Sequence, residues 1–398
     1  MDSYLNGSPV VAADQAYIMH TYKRQNVVLH AGHGAVACDE NGKEFIDFGS
    51  GIGVNSMGYC DAEWVNAVTQ QAKTLQHTSN LYYTEPGARL AELLCKTTGY
   101  KNVLFCNSGA EANECAIKIA RKYSFDKYGA DAKRFKILTL TNSFHGRTVT
   151  TLAATGQDFF HNYFFPFTEG FAYAPANDFA AVKEELEKGG YCAVMFEFVQ
   201  GEGGVLPLEQ SFVDELFAYC AEHDILTVAD EVQTGIGRTG ELLASGNFGV
   251  QPDITTLAKG LGGGLPIGAA LANEKTMNVF SYSDHGTTFG ANPVVCAGAY
   301  SVLSRVAKPE FLAEVRRKGE KIRKALKGCA EIEEISGLGM MIGLKLRTKS
   351  AADVLASCVE KGLLPLTAKT KLRLLPPLNI DDETLDKGLV ILMTALGE

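Results

Sequence analysis

Between about residues 100 and 275, two hydrophobic patterns alternate along the chain. Short continuous apolar runs recur at Asn102 to Cys106 (NVLFC), Phe135 to Leu140 (FKILTL), Cys192 to Val199 (CAVMFEFV), Ile225 to Asp230 (ILTVAD) and Pro266 to Ala272 (PIGAALA). Longer stretches between them place apolar residues along one helical face. In SFVDELFAYCAEH these are Phe212, Leu216, Phe217 and Cys220, and a second helical pattern runs from about Ala110 to Tyr123. A run apolar at every position is a strand buried on both faces. Such strands separated by helices predict an α/β fold with a mostly parallel sheet covered on both sides.

The two ends of the chain read differently. Residues 27 to 48 contain two extended runs around the turn ENGK. Beyond about residue 295 the pattern predicts a long helix, a strand over GLGMMIGLKL, an extended KLRLLPPL and a last helix. That helix opens with Asp381, Asp382 and Glu383, acids favoured at a helix N-terminus. The expected organisation is an N-terminal segment (1–48) that joins a smaller α+β domain, a large α/β domain (49–294), and the C-terminal α+β part of the smaller domain (295–398).

Composition narrows the class of protein. At 398 residues, 46% of them hydrophobic and 21% charged, the chain has enough apolar material for a large core. A net charge of -9 without a long basic run argues against nucleic acid and against an anionic membrane as partners. No segment approaches the roughly 18 apolar residues of a membrane span, and the N-terminus lacks a basic-then-apolar signal pattern. The ten cysteines are scattered singly with no C-x-x-C pair, the pattern of reduced thiols rather than disulfides or a zinc site. A cytoplasmic protein is expected.

Several short stretches could carry chemistry. In NVLFCNSGAEANECAIKIARKY a strand runs through Asn107, Ser108, Gly109 and Ala110 directly into a helix. The free N–H groups and dipole there favour a phosphate, although Ser is also an ordinary helix cap. In ILTVADEVQTGIGRTG, Asp230 ends an apolar strand, where open α/β sheets place ligands; an Asp there also serves as a routine cap. Lys259 ends another apolar run and precedes a glycine cluster. A lysine in such a tight loop becomes a nucleophile when burial lowers its pKa, while an isolated AKG reads as a flexible turn. In LTNSFHGRTVTTLAATG an aromatic, an imidazole and a guanidinium follow a strand, and His145 taken alone reads as structural. HGTTFGANP offers hydroxyls for another phosphate oxygen.

Two competing motifs fail. GSGIGVNSMG has Val54 or Ser56 where a dinucleotide fingerprint needs its third glycine. His30-Ala31-Gly32-His33 has no further ligand at metal-site spacing, so no metal is expected. Taken together, a phosphate cradle, an aromatic face, a strand-end carboxylate and a strand-end lysine form the set that pyridoxal phosphate requires.

From about residue 20 to the C-terminus the sequence resembles the class III, fold type I pyridoxal-phosphate-dependent aminotransferases, and within them the acetylornithine branch. The fragments that carry the resemblance are SNLYYTEP, FCNSGAEANECAIKIARKY, SFHGRT, ADEVQTGIGRTG, LAKGLGGGLPIGA and TTFGANP. The resemblance implies a mostly parallel seven-stranded sheet in the large domain. It also implies that Lys259 carries pyridoxal 5'-phosphate as a Schiff base and later shuttles a proton. Asp230 would pair with the ring nitrogen and Gln233 with the ring hydroxyl, with Phe144 on one ring face and Val232 on the other. Ser108, Gly109 and Ala110 would hold the phosphate with Thr288 of a second copy, which implies a homodimer with shared sites.

For substrates, the resemblance assigns Arg147 to the carboxylate far from the reacting amine and Arg373 to the α-carboxylate of 2-oxoglutarate. Glu202 would cover Arg373 while the amine donor is bound, and Tyr22 would assist at the substrate carboxylate or simply pack. The implied reaction moves the δ-amino group of N2-acetylornithine to 2-oxoglutarate in two half-reactions, a step of arginine biosynthesis. Other ω-amine donors (succinyldiaminopimelate, ornithine, 4-aminobutyrate, putrescine) are alternatives, as is an aminomutase of the same fold. Two departures stand out: Gly51 replaces a tyrosine of the ornithine enzymes, and Tyr59-Cys60-Asp61 replaces the usual G-H-x-H-P.

Overall fold

The computed structural model describes residues 8–397. A short helix (Pro9–Tyr17) comes first, followed by three antiparallel strands: β1 (Leu29–His33), β2 (Val36–Asp39) and β3 (Glu44–Asp47). The ENGK turn joins β2 to β3, where Asp39 Oδ1 accepts the N–H groups of Asn41 and Lys43 at 2.8 and 2.9 Å. The first extended run is split into two strands by a reversal at Gly34, which has φ +56°.

The main sheet is built from β4 (Asn102–Cys106), β5 (Lys136–Leu140), β6 (Phe171–Ala174) and β7 (Tyr191–Phe196). After a two-strand ribbon of β8 (Val199–Gln200) and β9 (Leu206–Pro207), it is completed by β10 (Leu226–Asp230), β11 (Ile254–Leu257) and β12 (Gly268–Ala272). Its seven strands lie in the order β4-β12-β11-β10-β7-β5-β6. Only β12 runs antiparallel to its neighbours, so the sheet is mostly parallel. The continuous apolar runs arise because alternate residues face two separate cores. Leu138, Val194 and Phe196 pack with the helix Gln210–Glu222 on one side. Ile137, Ala193 and Met195 pack on the other side with Cys115, Ala116 and Ile119 of the helix Gly109–Tyr128. The run CAVMFEFV is not one strand to Val199. It leaves the sheet at Glu197, whose carboxylate accepts backbone N–H groups of Phe144 and Gly201.

The C-terminal part contributes β13 (Ile332–Leu338), β14 (Met341–Leu346), β15 (Leu363–Leu364), β16 (Leu366–Ala368) and β17 (Lys371–Leu374). GLGMMIGLKL is a hairpin, not a single strand. Leu338 pairs with Met341 across a reversal at Gly339, which has φ +52° and lies so close to the Thr239 backbone that an added Cβ would sit 2.4 Å away. The pattern hides the turn because no polar residue marks it: Leu338 is half-buried, and Met340 and the start of β14 are fully buried. β15 pairs in parallel with β3, and Ile46 and Phe48 share one core with Leu344, Leu374 and Leu389. The last helix, Asp382–Leu396, is capped by Asp381, which accepts Thr384 N–H at 2.8 Å. Among the described residues no disulfide forms, no cluster of side chains suits a metal, and no helix is long and apolar enough to cross a membrane.

Glu231, next to the end of β10, is fully buried and accepts backbone N–H groups of Ala244 and Ser245. Burial pushes its carboxyl from 4.5 up to about 7. The folded chain keeps this proton at pH values where the unfolded chain has lost it. The resulting stability is therefore full below about pH 4.5 and gone above about pH 7. Raising the pH through that window is expected to lower the melting temperature of the wild type, and less so that of Glu231→Gln. Thermal scans from pH 4.5 to 7.5 check it, and equal slopes in both proteins would remove Glu231 as the cause.

Candidate active site

The carboxyl ends of β4, β5, β10 and β11 point the same way, and the loops that leave them line one cavity of about 450 Å³. This edge is where open α/β sheets collect ligands, because the strands deliver several loops to one place. Ser108, Gly109 and Ala110 come from β4, Phe144 and Arg147 from β5, Asp230, Val232 and Gln233 from β10, and Lys259 from β11. Glu202, in the ribbon between β8 and β9, also lines it.

At the start of the helix Gly109–Tyr128, Ser108 is the cap, its Oγ accepting Glu111 N–H at 3.2 Å. The N–H groups of Gly109 and Ala110 precede the first helical acceptor and face the cavity end of the helix dipole. Only glycine fits at 109, since a Cβ would lie 2.7 Å from Val232 Cγ1. The turn is capped, and the same turn leaves backbone N–H groups free at the start of a helix. That arrangement suits a phosphate.

Asp230 is buried within a network that joins four elements. Its Oδ2 accepts His145 Nδ1 and Asn113 Nδ2, both at 2.8 Å, and its Oδ1 accepts Val232 N–H at 3.0 Å. Asn113 accepts in turn from Thr256 Oγ1 at 2.7 Å. An anion held by three donors is fixed in place and remains an acceptor for a cationic ring nitrogen. Sequence reasoning missed Asn113 and Thr256 and left His145 as a structural histidine. The available signal for Asn113 was an amide on the otherwise apolar stripe of its helix. Glu197 was missed as well. It lines the cavity, holds Phe144 N–H at 2.9 Å and Gly201 N–H at 3.1 Å, and is pushed up to about 7 by burial. A lone glutamate inside CAVMFEFV was its signal.

Lys259 opens a tight turn (Lys259–Leu261) with φ +36°, a left-handed conformation that is rare for a side-chain-bearing residue. Burial lowers its pKa, with Glu202 and Asp230 opposing. The amine is therefore easier to deprotonate than a surface lysine, as a nucleophile or proton carrier requires.

Two arginines are in opposite states. Arg373, on β17 and 2% exposed, meets Glu202 at 2.6 Å and donates to Gln233 Oε1 at 3.1 Å. Gln233 Nε2 also donates to Glu202 at 3.3 Å. Burial works to raise the Glu202 carboxyl, but Arg373 outweighs it and holds it below the usual range. Arg147 lines the cavity with no hydrogen bond or ion pair among the described residues; its guanidinium lies 4.3 Å from the Phe160 ring centroid and 5.6 Å from that of Phe144.

Two expected residues lie elsewhere in this chain. Thr288 lines a separate depression with Asn80 and Leu81, and Tyr22 is 77% exposed beside Arg24. The Tyr59-Cys60-Asp61 loop does not line the cavity: Tyr59 exchanges backbone bonds with Gly34, and Asp61 caps the helix Ala62–Thr74 and pairs with Arg305 at 2.7 Å. Gly51 has φ +60°, where a tyrosine would be strained, and its neighbour Val54 lines the cavity.

The family model described as aminotransferase class-III matches residues 17–396. An acetylornithine aminotransferase of Haemophilus ducreyi is 53% identical over 97% of this chain and 98% of its own length. The crystal structure of the ornithine aminotransferase from Toxoplasma gondii ME49 superposes with a TM-score of 0.92 at 31% identity, covering 97% of this chain and 94% of that one. That of N-acetylornithine aminotransferase from Stenotrophomonas maltophilia gives a TM-score of 0.85 at 37% identity, covering 97% and 98%.

Proposed function

The chain belongs to the class-III aminotransferases, and from that premise we propose that it transfers the δ-amino group of N2-acetylornithine to 2-oxoglutarate. The products are N-acetylglutamate 5-semialdehyde and glutamate, and the reaction serves arginine biosynthesis in the cytoplasm. The cofactor is pyridoxal 5'-phosphate, which when bound supplies an electron-withdrawing ring that makes a proton on the amine-bearing carbon removable. The enzyme acts as a homodimer in which Thr288 of a second copy adds to the phosphate site.

Each residue has a role in this reading. The N–H groups of Gly109 and Ala110, with Ser108, receive the phosphate. Phe144 and Val232 would confine the ring, Gln233 would meet its hydroxyl, and Asp230 would hold a proton on its nitrogen. Lys259 would hold the aldehyde carbon, and its amine, which burial makes easier to deprotonate, would carry the proton of the amine-bearing carbon. Tyr22 assists at the substrate carboxylate when the dimer is assembled.

The contrast between the two arginines carries the substrate assignment. With Arg373 masked by Glu202 at 2.6 Å and Arg147 unpaired, one carboxylate receptor is open and one is closed. A donor with a single carboxylate uses the open one. A dicarboxylic acceptor needs both, and must draw Arg373 away from Glu202. A carboxylate-free diamine would leave Arg147 unpaired.

The test is a half-reaction screen that follows loss of the enzyme-bound cofactor's visible absorbance. N2-acetylornithine is expected to exceed ornithine and 4-aminobutyrate in kcat/KM by about tenfold or more, the scale of one lost specific contact. Free ornithine is the second reading, favoured by the 0.92 TM-score to an ornithine enzyme. If ornithine or another amine reacts while acetylornithine does not, the assignment to acetylornithine is wrong.

A further inference from the structure

Arg147 is held by aromatic rings, whereas Arg373 is held by an acid. Phe160 lies on one side, 4.3 Å from the guanidinium carbon to the ring centroid, and Phe144 lies at 5.6 Å. The two rings meet edge to face at 5.9 Å, and Phe159 meets Phe160 in the same way at 5.4 Å. Phe160 is itself fixed. It sits in the short turn Asp158–His161, where its N–H donates to Gln157 O at 3.0 Å and His161 Nε2 meets Leu152 O at 2.9 Å. Gln157 Nε2 donates to Ser143 O at 3.0 Å, which ties this turn to the loop that carries Phe144 and Arg147.

The chemistry of that contact is specific. A guanidinium carries its five N–H donors in its plane, so a ring stacked on its face consumes none of them. An acid in the same place would occupy the donors and cancel the charge, as Glu202 does at Arg373. A stacked ring leaves the whole fork available for an incoming carboxylate while limiting where the long side chain can go.

We propose that Phe160 is a positioning residue that sets the preference for carboxylate-bearing amine donors, by holding the Arg147 guanidinium over its ring while leaving the N–H donors free for the donor's carboxylate. The inference rests on the reading of Arg147 as the carboxylate receptor and adds to it a residue outside the cavity lining. Phe160→Leu keeps apolar bulk but removes the π face, and Phe160→Tyr keeps the face.

The experiment compares N2-acetylornithine with N-acetylputrescine, the same molecule without its carboxylate, in wild type, both Phe160 variants and Arg147→Ala. If the screen above selects a different donor, that amine and its carboxylate-free analogue take their place. Phe160→Leu is expected to raise KM for the carboxylate-bearing donor by about two- to thirty-fold, the range of a cation–π contact, with kcat and the N-acetylputrescine reaction little changed. Phe160→Tyr is expected to behave as wild type, and melting temperatures of all variants to agree. Unchanged KM in Phe160→Leu, or an equal loss with both amines, overturns the proposal. If Arg147→Ala keeps the wild-type preference, the carboxylate-receptor reading fails and the proposal falls with it. If Arg147→Ala loses the preference and Phe160→Leu retains it, the role of Phe160 alone fails.

Discussion

Lys259→Ala is expected to lose turnover by about 10⁴-fold or more, the combined scale of a missing nucleophile and a missing proton carrier. Among the described residues lining the cavity, Lys259 is the only lysine. Lys259 is delivered by the end of β11 into a left-handed turn beside Glu202 and Asp230, and burial already lowers its pKa. Removing the amine deletes both the covalent anchor and the group that moves the proton, while Asp230 and the Gly109–Ala110 helix start are untouched. A second readout separates chemistry from folding. Borohydride reduction of the wild type with pyridoxal phosphate should leave a stable label on the peptide containing Lys259, and the variant should carry none at an unchanged melting temperature. Near-normal turnover in Lys259→Ala, or a label fixed on another lysine, would refute the assignment.

Asp230→Asn is expected to lower kcat by about 10³-fold, the upper range for deleting one preorganised charge from a catalytic site. The carboxylate is held by His145, Asn113 and Val232, so the substituted amide arrives in a network arranged for an anion. Its NH2 group faces donors, and each buried donor left without an acceptor costs about 1–3 kcal/mol. Both a lower melting temperature and a weaker affinity for pyridoxal phosphate should accompany the loss of rate. Fluorescence titration with the cofactor and thermal melts measure these separately from turnover. A kcat within tenfold of wild type would show that the ring nitrogen does not depend on this charge.

Local runs made much of this arrangement readable in the amino-acid sequence. Asp230, Lys259 and the Ser108-Gly109-Ala110 turn each interrupt an apolar strand at its carboxyl end, and one parallel sheet brings such ends to one edge. What joins them was not readable, because it is made by distant partners. His145 and Asn113 reach Asp230 from 85 and 117 residues away, and neither neighbourhood advertises the contact. The hairpin at Gly339 was hidden for a different reason: with Leu338, Met340 and Met341 all apolar, the hydrophobic pattern has no break where the backbone reverses. Phe160 escaped notice because it lies in an aromatic-rich loop where several phenylalanines, Phe159, Phe164 and Phe165 among them, are exposed. Only the position of Arg147 distinguishes it. Thr288 and Tyr22 lie off the cavity within one chain, so only the proposed homodimer would bring them to a site.

The pairing of β3 with β15 has a consequence for how the protein is made. Lys43, beside β3, donates to Glu360 O across 317 residues of chain. At ordinary rates of translation, a ribosome takes about 15 to 60 s to deliver the second partner after the first. Through that interval the nascent N-terminal strands carry an open edge and the apolar side chains of Ile46 and Phe48, while the strands of the main sheet are already emerging. Contacts this distant in the chain close late and slowly. Until the last hundred residues arrive, the N-terminal strands lack the partners of this edge and core, and truncation near the C-terminus would strand the N-terminus as well.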